Sequence, residues 1–169
     1  MESKQVQTEQ REIRITVAVD AEHLNGTRLL FQEYATQLNV AECLAGLDSE
    51  LAGLPGAYQH PRGSLLIATV SGELAGCCAL RPLDAVDYAN ACEMKRLYVR
   101  PQYRGMGLGR RLTEAILDQA RQCGFACVLL DTLNAMEAAR SLYNELGFEE
   151  IPPYCFNPIA GAHYLKAEL

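Results

Sequence analysis

The sequence has no excess of basic charge, no long apolar run and no CxxC cysteine pair. Its 15 Lys+Arg are set against 21 Asp+Glu, a formal net charge of −6. That sign is wrong for a surface that neutralises phosphates, which excludes nucleic acid as a partner. A membrane span needs about 18 or more apolar residues in a row, whereas the longest strongly apolar stretch here runs only from Phe125 to Leu130. No membrane partner is expected. The amino end, MESKQVQTEQREIR, is polar and lacks the apolar core and cleavage site of a signal peptide, so a cytoplasmic location is expected. The seven cysteines (Cys43, Cys77, Cys78, Cys92, Cys123, Cys127 and Cys155) contain no CxxC pair. With His23, His60 and His163 scattered, they make no zinc framework, and no metal is expected. They read as small buried apolar residues in a reducing compartment, with a single reactive thiol left open.

What is present describes a folded chain. Of its 169 residues, 49% are apolar and 21% charged, a globular composition of a length suited to one domain. A chain of this size buries roughly 70% of its unfolded surface. Residues 1–11 read as a polar tail and 12–169 as the domain. Ile13, Ile15, Val17 and Val19 alternate with more polar neighbours, the period of a half-buried strand. Asp20 is placed to cap a helix carrying Leu24, Leu29, Leu30, Tyr34 and Leu38, and a second helix is expected from about Val40 to Leu54. Ser71-Gly72 joins two apolar strands, about 64–70 and 73–81, as a hairpin. Further strands are expected at 92–99, 126–132, 148–151 and 162–168, with helices at 108–122 and 135–146. The order β-α-α-β-β-β-α-β-α-β-β describes a mixed sheet with helices on its faces.

The chemistry concentrates in Arg100-Pro-Gln-Tyr-Arg-Gly-Met-Gly-Leu-Gly-Arg-Arg111, between a strand and a helix. Gly105, Gly107 and Gly109 free the backbone to turn N–H groups toward one anion, and the helix start adds its positive dipole end. Arg104, Arg110 and Arg111 add charge, so the turn suits a pyrophosphate. A P-loop fails for want of the Lys and hydroxyl that should follow. A dinucleotide fold would want GxGxxG and a later acidic residue; the glycines here run GxGxG, although Asp131 ends the next strand.

Arg104-Gly-Met-Gly-Leu-Gly109 resembles the Q/R-x-x-G-x-G/A signature of the GNAT superfamily of N-acetyltransferases. MKRLYVRPQYRG resembles that superfamily's fourth strand and its exit. Ser141 to Phe148, SLYNELGF, resembles its tyrosine helix and the Gly-Phe that follows. Element order over about residues 12–168 agrees. The resemblance implies an α/β (α+β) fold: a mixed, mostly antiparallel sheet of about seven strands, about four helices, and strands four and five splayed apart. It implies direct acetyl transfer from acetyl-CoA, the cosubstrate, to the primary amine of a small molecule or peptide within a ternary complex. Leu97, Tyr98 and Val99 would pair with the pantetheine arm. Arg104, Gly105, Met106, Gly107, Leu108, Gly109 and Arg110 would hold the pyrophosphate, with Asn134 and Ala139 further along the cofactor. Many members carry an Asn seven residues before the Tyr; here that position is Met136, and Asn134 reads first as a helix cap.

Tyr143 takes the family's acid position, protonating the leaving thiolate, against the alternative of a packed helix aromatic. Glu93, 11 residues before Arg104, matches the strand-four glutamate that serves some members as base. Two further readings stay open: a water chain as base, and Glu93 as a plain carboxylate paired with Lys95 or Arg96. Glu33, Tyr34 and Tyr154 are candidate acceptor contacts, and Arg62 could meet a carboxylate. Net acidity favours a cationic acceptor, although an amino-acid-like amine fits no worse. The resemblance is compatible with a homodimer. The alternatives are a catalytically silent acyl-CoA-binding sensor and a dinucleotide-binding domain.

Overall fold

The computed structural model describes residues 10–38, 46–133, 136–157 and 159–169. The amino-terminal residues 1–9, Cys43, the first part of the expected second helix and Asn134 lie outside the described residues.

Strand β1 (Ile13–Val17) half-buries alternate residues as its period of two requires. The Asp20 carboxylate accepts a hydrogen bond from the His23 backbone N–H at 2.8 Å, capping α1 (Ala21–Leu38). This helix buries Thr27, Leu30, Phe31 and Ala35, a one-sided stripe. Helix α2 (Leu47–Ala52) lies within the described part of the expected second helix, and a 3₁₀ turn follows at Gly56–Tyr58. Strands β2 (Ser64–Val70) and β3 (Glu73–Leu83) meet at Ser71-Gly72, where both residues have positive φ, 49° and 83°. That is the primed turn whose twist suits a two-residue hairpin. Strand β4 (Ala91–Val99), helix α3 (Leu108–Gln122), strand β5 (Cys127–Leu133), helix α4 (Glu137–Glu145), and strands β6 (Glu149–Ile151) and β7 (Ala162–Glu168) complete the order.

The seven strands form one sheet in the order β1-β2-β3-β4-β5-β7-β6. All neighbours are antiparallel except β4 and β5. A doubly wound dinucleotide fold needs a parallel sheet, so this topology overturns that alternative. Side chains alternate across the sheet. Leu66, Ala68, Cys78, Leu80, Cys92 and Met94 face Leu112 and Ile116 of α3 and Tyr143 of α4. Leu65, Ile67, Cys77 and Ala79 face Leu30, Phe31 and Ala35 of α1 and Leu51 of α2. Leu30 and Phe31 are fully buried, each stabilising the α1 contact by about 1.5–3 kcal/mol. Cys77, Cys78, Cys92 and Cys127 lie buried as free thiols, Cys123 is half-buried and Cys155 is exposed.

Two features open the middle of the sheet. The β4–β5 pairing consists only of Ala91↔Cys127, Cys92↔Val128 and Glu93↔Leu129; beyond Glu93 the strands diverge. The β3–β4 register also slips between Cys77 and Ala79, and Arg96 sits there at φ 60°. A bulge of this kind bends its strand and increases local twist. The left-handed conformation is costly for a residue with a side chain, and the surroundings offset it. Arg96 Nη2 and Nε donate to Glu50 Oε2 of α2 at 2.9 and 3.2 Å, and its guanidinium lies 5.9 Å from the centroid of the Phe31 ring. The Tyr58 hydroxyl donates to the other Glu50 oxygen.

Candidate active site

The divergence of β4 and β5 leaves a cleft of about 480 Å³. One wall is β3 and β4, with Arg81, Glu93, Lys95, Arg96 and Leu97; another is β5 and α4, with Asp131, Thr132, Met136, Ala139 and Tyr143. Tyr34 and Leu38 of α1, and Tyr154 to Asn157 of the loop between β6 and β7, close it.

Glu93 is buried, with its side chain 2% exposed. It faces the α1 side of the sheet because it stands opposite Arg81 in the β3–β4 register. Arg81 donates to Oε1 through Nε at 2.8 Å, and its Nη2 stands 2.6 Å from the same oxygen in an ion pair. The Tyr154 hydroxyl donates to Oε2 at 2.7 Å. Lys95 Nζ lies 3.7 Å from Oε1, an ion pair beyond hydrogen-bond reach. A carboxylate offers about four lone-pair sites; with Arg81 set against Oε1 and the Tyr154 hydroxyl on Oε2, about one site stays open on Oε2. Burial, then the adjacent Glu93, push the Tyr154 hydroxyl pKa well up, which keeps that donor protonated.

Tyr143 reaches the cleft from α4 and is buried, its ring packed 5.5 Å from that of Phe148. Burial pushes its phenol pKa far above the ordinary 10.0, so the group holds its proton across the neutral range. The glycine turn lies where β4 hands over to α3. Gly105 and Gly107 adopt φ 79° and 78°, and Gly107 is the N-cap, with no side chain capping the helix. The first intrahelical bond runs from the Arg111 N–H to the Gly107 carbonyl. The N–H groups of Leu108, Gly109 and Arg110 therefore precede the helical ladder. The fully buried Leu108 side chain anchors this start in the core.

A model of the acetyltransferase (GNAT) family matches residues 28–148. The chain belongs to the GNAT acetyltransferase family. It is 34% identical over 158 residues to an uncharacterised N-acetyltransferase of Schizosaccharomyces pombe, covering 93% of this chain and 95% of that one. Its fold is similar to that of an acetyltransferase from Streptococcus agalactiae, with TM-score 0.73 and 22% identity over 93% of this chain and 98% of that one. It is also similar to the PaiA N-acetyltransferase of Thermoplasma acidophilum in complex with coenzyme A, with TM-score 0.69, 16% identity, and coverage of 94% and 99%. The family is one of acyltransferases, and this chain is an enzyme of that class.

Within this GNAT chain the residues singled out from sequence do not all meet. Glu93, Leu97, Ala139, Tyr143, Tyr34 and Tyr154 line the cleft. Tyr98 instead packs its ring 6.0 Å from that of Tyr34, and the Val99 carbonyl accepts from Arg104 Nε at 3.1 Å. Arg104 also donates to Gln37 of α1 at 2.8 Å. Arg110 pairs with Glu145 of α4 and lies 3.8 Å from Glu114. Two of the three arginines are thus already engaged by the protein. Met106 packs on Val70, Ala75 and Leu108, and the nearest atom to a side chain placed on Gly109 would be Leu142 Cδ2, at 3.7 Å. Glu33 is outside the cleft: Arg100 holds it through two hydrogen bonds of 2.8 and 3.0 Å. Arg62 pairs with Asp84. Arg96, expected beside Glu93, is turned to Glu50 by the bulge. Arg81 was missed because β3–β4 register sets its place; the alternation of Cys77, Ala79 and Arg81 was the available signal. Phe156, 90% exposed at the cleft, gives no periodic signal in a proline-flanked loop.

Proposed function

We propose that the enzyme transfers an acetyl group from acetyl-CoA directly to a primary amine held in the same cleft. The observation that carries this reading is the end of β4–β5 pairing at Glu93, which opens a cleft lined by both Glu93 and Tyr143. The groups present fit the cosubstrate. Beyond Glu93 the β5-facing edge of β4, through Leu97, has room for an amide-bearing arm in place of a strand. The uncapped N–H groups of Leu108, Gly109 and Arg110, with Arg111 in the same turn, suit a pyrophosphate.

Acetyl-CoA supplies the activated thioester. The chain orients the two reactants, excludes water, and moves protons at named atoms. Glu93 Oε2 keeps about one acceptor site for the incoming amine or for a water beside it, and takes the proton the amine must lose before it attacks. Arg81 and Tyr154 hold that carboxylate in one orientation. Backbone N–H groups of β4 donate where negative charge gathers on the carbonyl oxygen. The Tyr143 hydroxyl, kept protonated by burial, donates to the departing sulfur.

The test combines two measurements. Acetyl-CoA and CoA should raise the melting temperature while NAD does not, and a panel of primary amines should release CoA. Stabilisation by acetyl-CoA with no turnover of any amine would favour the silent acyl-CoA sensor.

A further inference from the structure

The overall charge of −6 predicts a cationic acceptor, but the cleft has a different balance. Among the described residues, Arg81, Lys95 and Arg96 line it together with two carboxylates, Glu93 and Asp131. Arg81 is neutralised by Glu93 and Arg96 by Glu50. Lys95 is left over. Among the described residues its ammonium makes no hydrogen bond and one ion pair, the 3.7 Å approach to Glu93, and its side chain is 25% exposed. Asp131 is the complementary leftover, holding only the Asn157 amide at 3.0 Å and no described cation. A polyamine or aminoglycoside would bring further positive charge beside the uncompensated Lys95. A small molecule carrying both an amine and an anion would satisfy both leftovers.

The apolar part of the wall narrows the class further. Phe156 stands 90% exposed beside Tyr154, and Val86 and Leu133 line the same opening. An exposed ring of this size in a cleft is a surface for an apolar group.

We propose that the acceptor is a free α-amino acid with an apolar side chain, its carboxylate held by Lys95 and its side chain resting on Phe156. This rests on the acetyltransferase reading above and deepens it. The amine then lies between Glu93 and Asp131, both acceptors, and the carboxylate is the specificity handle. The chemistry is unchanged: the amine nitrogen forms the new bond to the acetyl carbon, the carbon–sulfur bond breaks, and the amine proton leaves through Glu93.

Three matched pairs supply the test: L-leucine with isoamylamine, L-phenylalanine with phenethylamine, and L-methionine with 3-(methylthio)propylamine, each followed by CoA release at saturating acetyl-CoA. The amino acid of each pair should exceed its decarboxylated partner at least tenfold in kcat/KM. Lys95→Gln should raise KM for the amino acids about tenfold or more and bring the ratio near one, and Lys95→Arg should restore most of it. Equal or better use of the decarboxylated amines overturns the proposal, as does a Lys95→Gln effect of the same size on both members of each pair. Acetyl-CoA binding by calorimetry separates the two levels. If acetyl-CoA does not bind, the acetyltransferase reading itself fails. If it binds and none of the six amines is acetylated, only the amino-acid assignment falls.

Discussion

Tyr143 and Glu93 are both buried, one as a phenol and the other as a carboxylate held by partners. For Tyr143 burial removes water from a phenol and so raises its pKa above 10.0. A group with a raised pKa keeps its proton as pH climbs. Tyr143 should therefore cause no fall in kcat between pH 7 and about pH 9.5. Tyr143→Phe should lower kcat about 10- to 100-fold while the acetyl-CoA dissociation constant, measured by calorimetry, stays within about twofold. An alkaline limb near pH 8 that vanishes in Tyr143→Phe would count against the acid role. For Glu93, burial had to be matched by partners, and Arg81 and Tyr154 provide them. Glu93→Gln should cost about 1–2 kcal/mol in urea unfolding, less than a fully buried pair because Arg81 is 35% exposed and can rehydrate. Its kcat/KM should fall by about a hundredfold. An unaltered pH–rate profile in Glu93→Gln would assign the base to water. Glu93 itself was legible from its offset to the glycine turn. Its partners were not, since a strand's own sequence does not say which residue lies opposite.

At the level of elements, the turn between β4 and α3 was the most legible part of the chain. Alternating glycines just before an amphipathic helix mark a backbone that must bend sharply and leave its N–H groups open. The arginines were less legible, because a charge in the sequence does not reveal the carboxylate that Arg110 finds on α4. Gly107 and Gly124 allow this turn to be tested without that ambiguity. Both have positive φ, 78° and 84°, and a side chain at either would meet open space. Gly107→Ala and Gly124→Ala should each cost about 1 kcal/mol in thermal or urea unfolding. Only Gly107→Ala should also weaken acetyl-CoA, by about five- to tenfold in calorimetry. Equal weakening in both variants would mean the turn acts through stability alone. The bulge at Arg96 had no sequence signal at all. Its left-handed residue is an arginine, held by Glu50 and Phe31 from helices distant in sequence.

Across the whole molecule, element order and sheet class followed from hydrophobic period and turn residues, whereas the place where the sheet opens followed from neither. Burial of thiols and phenols has a collective effect on stability. Burial raises Cys78 to about 12, and raises Cys77, Cys92, Tyr58, Tyr143 and Tyr154 as well. In the unfolded chain these groups ionise near 9.0 and 10.0. The folded state then holds protons the unfolded state has released, so stability is complete below about pH 9 and falls above it. Each such proton contributes a slope of about 1.4 kcal/mol per pH unit. Thermal melts from pH 7 to 11 should be flat at first and then drop steeply; a constant melting temperature to pH 11 would contradict the burial of these groups. The three residue pairs that join β4 to β5 have a mechanical meaning as well. They make a short seam between two panels, β1 to β4 on one side and β5, β7 and β6 on the other. A ligand arm lying along β4 lengthens that seam and ties the panels together. Backbone amides of Met94 to Val99 and of Asp131 to Leu133 should then exchange hydrogen more slowly with acetyl-CoA bound, while those in the β1–β2 pair keep their free rates. Occupancy of the cleft and rigidity of the sheet thus become one quantity, read from either end.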